Sequence, residues 1–280
     1  MYGYVLLYTD NFLVVSENSE SVLKEEIVRY LELKLDSIGP PSLYLGGHLQ
    51  EMKLDTGTKA WDFRYTQYVQ YSVKNVEGYL SQKGKSFNTK VLDVLPKKYH
   101  QEIDISEELG AQEASYFQYL IGIIRRIVEL GRVDICTDTI MMSSHLVLPR
   151  HGNLERLFHI FSYLNKHQNS EMLFDPTNPY VEMADFQHED WGIIIFGDVK
   201  EEMPSIFLFT RSGIGDMPEP RGQGFTMTVY VHFDLGGDCF IRISRTGFTI
   251  FLNGAPLYWR SSKQNIYEVS TFGSESKAMK

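Results

Sequence analysis

Cysteine is scarce in this chain. There are two in 280 residues, Cys136 and Cys239, and no secretory feature accompanies them, which argues against a disulfide framework and for a pair of reduced thiols. Long apolar runs are lacking as well. The N-terminal apolar stretch is interrupted at Asp10, too soon to cross a bilayer, and it carries neither the basic leader nor the small-residue cleavage site of a signal peptide. The expectation is an intracellular protein, cytoplasmic or nuclear, with no membrane partner. Excess positive charge is missing too: 27 Lys and Arg against 36 Asp and Glu leave a formal net charge of −9. That is the opposite of a basic surface that displaces counterions from a polynucleotide, so any nucleic-acid contact has to be local. What remains is an ordinary globular composition, 43% hydrophobic and 22% charged, long enough for one large or two modest domains.

The patterning is informative in places. Leu6-Leu7-Tyr8-Thr9-Asp10-Asn11-Phe12-Leu13-Val14-Val15 sets polar residues between two short β-prone runs, which predicts a β-hairpin over residues 2 to 16 with a carboxylate at its tip. Leu23, Ile27, Val28 and Leu31 recur at helical spacing, and Pro40-Pro41 then stops regular structure because neither residue has an amide to donate. Residues 42 to 64 read as a strand pair around the turn signal Asp55-Thr56-Gly57, and residues 66 to 80 as a helix. The stretch from 81 to 104, with Lys83, Lys85, Lys90, Lys97 and Lys98, has no sustained period and reads as a linker.

Beyond it, Phe117, Leu120, Ile121, Ile124, Ile127 and Val128 mark the strongest helix, with Gly131 placed as its C-terminal cap. Residues 133 to 147 predict a second helix, on which Asp134 and Asp138 form a carboxylate pair or, more blandly, a buried cap and a solvent contact. Asn153 is placed to cap a third helix with the stripe Leu154, Leu157, Phe158, Phe161 and Leu164. On the other side of that helix, Arg156, His159, Tyr163 and Lys166 share one face. Such a face is either simply solvated or suited to a phosphate backbone. Residues 175 to 223 are irregular and acidic, and Arg221-Gly222-Gln223-Gly224 lacks the following Lys-Ser or Lys-Thr of a phosphate loop. Strands return at Phe225 to Val231, Thr246 to Leu252 and Leu257 to Trp259, with Asn253-Gly254 as a hairpin turn and a helix beginning near Ser270. His232 and Cys239 make at most half a zinc site.

Tyr8-Thr9-Asp10-Asn11 resembles the Tyr-x-Asp-Asp signature of reverse transcriptases, in which carboxylates hold two magnesium ions for phosphoryl transfer. Tyr44-Leu45-Gly46-Gly47, Gln67-Tyr68-Val69, Tyr119-Leu120-Ile121-Gly122, Gly131-Arg132-Val133-Asp134-Ile135 and the run from Leu157 to Leu164 follow in the same order. So do Ser244-Arg245-Thr246-Gly247-Phe248, Tyr258-Trp259, Ser262-Lys263-Gln264 and Ser274-Glu275. Nearly the whole chain therefore resembles the pol polyprotein of a copia-type LTR retrotransposon. The resemblance implies an α+β fold in five parts. A palm remnant spans 1–38, a thumb-like region and linker 39–104, a helical connection region 105–174, an acidic loop-rich hinge 175–223, and the first half of an RNase H-like mixed sheet 224–280. It implies Mg2+ as cofactor and an RNA–DNA hybrid or template–primer as partner. Asp10 and Glu275 are then the metal-binding catalytic remnants, and Arg156, His159, Tyr163, Lys166 and Lys263 the nucleic-acid contacts.

The departures from the family bear on chemistry. Asn11 replaces the second aspartate of the signature, and His232 stands where the first RNase H carboxylate belongs. Arg126 occupies a position where the family carries a large apolar residue, Ile243 replaces a basic one, and Arg132 with Asp134 resembles a motif best read as a salt-bridged helix start. A further polymerase aspartate is expected before Met1 and a further RNase H aspartate after Lys280. Losing one preorganised electrostatic group costs roughly 10²–10³ in rate. The expectation is a reverse transcriptase and RNase H fragment that catalyses neither reaction alone. The alternatives are a non-catalytic module for RNA–DNA hybrids or a partner subunit, and a decayed open reading frame with no selected role.

Overall fold

The computed structural model describes residues 4–9, 11–34, 38–96, 100, 103–169, 171–179, 224–234 and 242–265. They form a mixed α and β structure with three antiparallel sheets and one helical core. β1 (Tyr4–Tyr8) and β2 (Asn11–Val15) make the expected hairpin, with Tyr8 opposite Asn11. The connection is thus a two-residue loop, and Thr9 takes a φ of 54°, the left-handed conformation that primed hairpin turns require. The helix expected at 23–31 is instead a run of short irregular turns: α1 (Ser19–Ser21), a π turn over Val22–Glu26 and a 3-10 turn over Ile27–Arg29. Leu23 and Ile27 are only half-buried and Val28 and Leu31 stay exposed, and so partly covered a stripe does not hold a regular helix.

β3 (Leu43–Tyr44), β4 (Gly47–Lys53) and β5 (Lys59–Arg64) form the second sheet. Its turn falls at the expected Asp55-Thr56-Gly57, where the Gly57 amide donates to the Leu54 carbonyl over 2.8 Å and φ reaches 82°. A fourth strand, β6 (Met172–Phe174), pairs with β5. Its three residues are too few to show an alternation in the sequence. It makes this sheet draw on both the 39–104 and the 105–174 segments.

The core lies among α2 (Thr66–Gln82), α3 (Ala111–Glu129), α4 (Cys136–Ser143) and α5 (His151–Lys166). Val73 and Val76 of α2, Phe117, Leu120 and Ile124 of α3, and Leu157, Ile160 and Phe161 of α5 meet there, all buried. α3 ends where Gly131 adopts a φ of 110°, and the Arg132 amide closes back on the Ile127 carbonyl at 3.2 Å, the geometry of a glycine C-cap. The helix expected over 133–147 is shorter: a 3-10 turn at Val133–Ile135 leads into α4, which stops at Ser143. Asn153 contributes to the start of α5 from inside the first turn, its Oδ1 accepting the Arg150 amide at 2.9 Å, the reciprocal half of a capping box.

The segment read as a linker packs against the helical core. Val91 is buried, and Phe87, Val94 and Leu95 lie against the helical core. Four apolar anchors without a regular period hold a strap, not a helix or strand. The last sheet is a meander of β7 (Met227–Asp234), β8 (Arg245–Leu252) and β9 (Ala255–Lys263), turning at Asn253-Gly254. Its described strands are all antiparallel, where a mixed sheet was expected. It docks on the rest of the protein: Trp259 Nε1 donates to the Val128 carbonyl at 3.2 Å, and the Gly254 amide to Thr177 at 3.1 Å. Among the described residues no helix is long and apolar enough to cross a membrane.

Candidate functional site

The basic and aromatic residues of α5 share a face, as their spacing requires, but the strap crosses it. His159 Nε2 lies 3.2 Å from the Asp93 carbonyl oxygen. Lys166 Nζ donates to the Val91 carbonyl at 3.0 Å, and the Asn88 amide donates to Ser162 Oγ at 3.2 Å. Burial holds the His159 imidazole below the usual histidine range, and the nearby Arg156 charge acts in the same direction against the Asp93 carbonyl. The strap thus engages part of this face, where Lys166 stays exposed and Arg156, His159 and Tyr163 are half-buried. The donors that would meet phosphate oxygens meet carbonyl oxygens of residues 91 and 93 by the same hydrogen-bond chemistry.

Tyr163 belongs to a second cluster. Arg132, only 3% exposed, donates from Nε and Nη2 to the two Asp134 carboxylate oxygens at 2.9 and 2.7 Å. Its Nη1 reaches the His167 carbonyl at 2.7 Å, which ties the end of α3 to the end of α5. Tyr163 donates its hydroxyl to Asp134 Oδ2 at 3.2 Å and presents its ring to the Arg132 guanidinium. The salt-bridged start expected for Arg132 and Asp134 is what the geometry contains. Burial pushes the Asp134 carboxyl up, but the Arg132 fork and the Tyr163 hydroxyl outweigh it and hold it below the ordinary range. Asp138, one turn on, is pushed up to about 6 by burial and by the Asp134 charge. Two carboxylates with separated ranges are a pattern used in acid–base catalysis. Here Asp134 is engaged by Arg132 and Tyr163.

On the last sheet, His232 stands exposed on β7 opposite Gly247 of β8. With Cys136, Tyr230, Arg245 and Trp259 it lines a cavity of about 460 Å³ between the sheet and the start of α4. Burial pushes the Cys136 thiol up, away from the thiolate form that reacts or binds metal. Lys263 ends β9 opposite Arg245, and the adjacent Gln264 bonds Ser244 and Thr246 of its own sheet, each at 2.8 Å. Asn11 is exposed beside the hairpin tip. Asp10, Glu275, Asp238, Cys239 and the Arg221–Gln223 stretch lie outside the described residues, as does the helix expected from Ser270. Among the described residues no group of three His, Cys, Asp or Glu side chains is placed to hold a metal ion.

Arg126 faces solvent and pairs with Glu129 at 3.0 Å. Two polar anchors escaped the sequence reading. Asp62 is 1% exposed and pairs with Arg64, which also reaches Glu171 at 2.8 Å. Strand alternation was the available signal, since it puts Asp62 on the same side as buried Ala60. Arg150 donates to the Ser106 carbonyl at 2.6 Å and pairs with Glu108, and no local pattern announces partners so distant in sequence. No known family model matches the chain, and neither a curated protein nor a solved structure matches it.

Proposed function

We propose that this chain is a segment of a copia-type reverse transcriptase and RNase H in which neither phosphoryl-transfer centre works unaided. The observation that carries the reading is a pair of side chains that carry no carboxylate at positions where the resemblance calls for one: Asn11 opposite Tyr8 on the hairpin, and His232 on β7. Magnesium-assisted phosphoryl transfer relies on hard anionic oxygens around the metals. An Asn amide oxygen brings no formal charge, and an imidazole is a nitrogen donor better matched to zinc or copper. The two-residue hairpin and the antiparallel β7-β8-β9 order support the palm-like and RNase H-like parts of the reading. Asp10 and Glu275 are the residues assigned to Mg2+. Template–primer extension and RNA–DNA hybrid cleavage in magnesium test the proposal, and no turnover is expected. Turnover abolished by Asp10→Ala or by Glu275→Ala would overturn it.

A second reading, a non-catalytic module that binds an RNA–DNA hybrid or a partner subunit, is favoured over a decayed frame by the continuous buried core of α2 to α5. Hybrid affinity without turnover supports it. Because the strap already bonds His159 and Lys166 on the α5 face, Arg156→Ala with Lys166→Ala discriminates the contact surface. A flatter salt dependence of hybrid binding places a hybrid on that face, and an unchanged slope removes both residues from the interface.

A further inference from the structure

β1 differs from every other strand in having all five residues exposed, between 46% and 72%. Its partner β2 is half-buried at Phe12, Leu13 and Val14. β2 lines a groove of about 990 Å³ together with Leu31, Pro40 and Tyr44. Among the described residues the sheet stops at these two strands, and none of them pairs with the outer edge of β1. The two-residue loop fixes which backbone groups lie on that edge. Tyr8 and Asn11 flank the loop and form a hydrogen-bonded pair, so Tyr4, Leu6 and Tyr8 turn their amides and carbonyls toward β2. Val5 and Leu7 turn theirs outward.

We propose that β1 is a self-recognition edge, through which two copies of this chain pair antiparallel about a two-fold axis at Leu6 to make a four-stranded sheet. Backbone parity, side-chain order and charge agree on that register. Centring on Leu6 sets Val5 of one copy against Leu7 of the other, and the outward groups of both residues then exchange four N–H···O=C bonds. The sequence Tyr4-Val5-Leu6-Leu7-Tyr8 reads nearly the same in both directions, so the same axis sets tyrosine against tyrosine and leucine against leucine. A two-fold interface needs this self-complementarity, whereas an unrelated partner does not. The strand carries no charge, so two acidic copies meet there without like-charge opposition, and a charged peptide finds nothing to pair with. A five-residue strand buries less than the roughly 800 Å² per partner of a standard interface, so the dimer is weak, with a Kd on the order of 10 μM or above. The inference stands apart from the polymerase reading and survives its failure.

Sedimentation velocity of the full chain over roughly 1 to 200 μM, a range bracketing that affinity, is expected to show a concentration-dependent dimer. Leu6→Lys and Leu6→Glu each abolish it by opposing like charges at the axis, and mixing the two variants restores it. Leu7→Pro also abolishes it while the hairpin persists, because β2 does not use the Leu7 amide. Leu6→Cys forms an intermolecular disulfide under mild oxidation, since residues facing each other in a non-hydrogen-bonded pair sit about 4.5 Å apart at Cα. Val5→Cys, which faces Leu7, does not. A monomer across the whole range overturns the proposal, as does a dimer unaffected by Leu6→Lys. Equal cross-linking at positions 5 and 6 also overturns it, by revealing unspecific edge adhesion.

Discussion

In α3, Phe117, Leu120, Ile124 and Ile127 are wholly buried, whereas Val5, Leu6 and Leu7 of β1 are about half exposed although their side chains are as apolar. The helix has α2 on one side and α5 on another to cover it, whereas among the described residues the hairpin strand β1 pairs only with β2. Fully burying one such side chain is worth about 1.5–3 kcal/mol. The core realises that gain at every position, while β1 leaves about half of it unrealised. Isolated two-stranded ribbons are marginal for this reason. Apolar patterning identifies which side chains need cover and is silent about what supplies it.

The contrast is sharpest in single truncations. Phe117→Ala should cost about 3–5 kcal/mol of unfolding free energy in urea titration, whereas Leu6→Ala should stay within about 0.5 kcal/mol at concentrations where the chain is monomeric. Comparable losses from the two variants would erase the distinction between core and edge.

Next in size is Arg132→Ala, which removes the fork to Asp134 and the bond to His167. A loss of about 2–4 kcal/mol is expected, with Arg132→Lys recovering only part because an ammonium cannot reproduce the two-pronged contact. Full recovery by lysine would show that charge alone matters at this joint.

Asp138 supplies a pH-dependent comparison within the helical region. Its folded value of about 6 lies above the ordinary aspartate range of about 3.9. The unfolded chain therefore gives up this proton first as pH rises. The Asp138 contribution is most favourable below about pH 4, declines between about pH 4 and 6, and stays lower above that. Asp138→Asn should be near neutral at the acid end and stabilise by roughly 1–3 kcal/mol at pH 7. A pH-independent effect would contradict the burial argument.

The smallest expected effect concerns the strap. Lys166→Ala removes its bond to the Val91 carbonyl and should cost about 0.5–1 kcal/mol, with faster amide exchange confined to residues 88 to 93. Unchanged exchange there would show that Val91 and Phe87 hold the strap without help.

Much of the local structure was legible in advance. Gly131 ended α3, Asn253-Gly254 turned the last hairpin, and Arg132 with Asp134 braced a helix start, all through contacts within a few residues. The shortened helices near 23–31 and 133–147 were misjudged because periodicity reports a capacity for amphipathic packing and not the presence of a neighbour. β6 and the strap were invisible for the complementary reason. Their partners lie far away in sequence, and neither carries a repeating pattern of its own.

The α5 face shows where the division falls. By themselves the residues determined that Arg156, His159, Tyr163 and Lys166 would stand together, since helical geometry imposes that on any such spacing. Only the tertiary structure decided what they meet. Long-range packing brought the carbonyls of Val91 and Asp93 and the carboxylate of Asp134 to donors that a phosphate would have suited equally well, and among the described residues it set no third strand beside β1. Short-range steric rules act on a few neighbouring residues, while the choice of partner depends on chain segments that local pattern cannot connect.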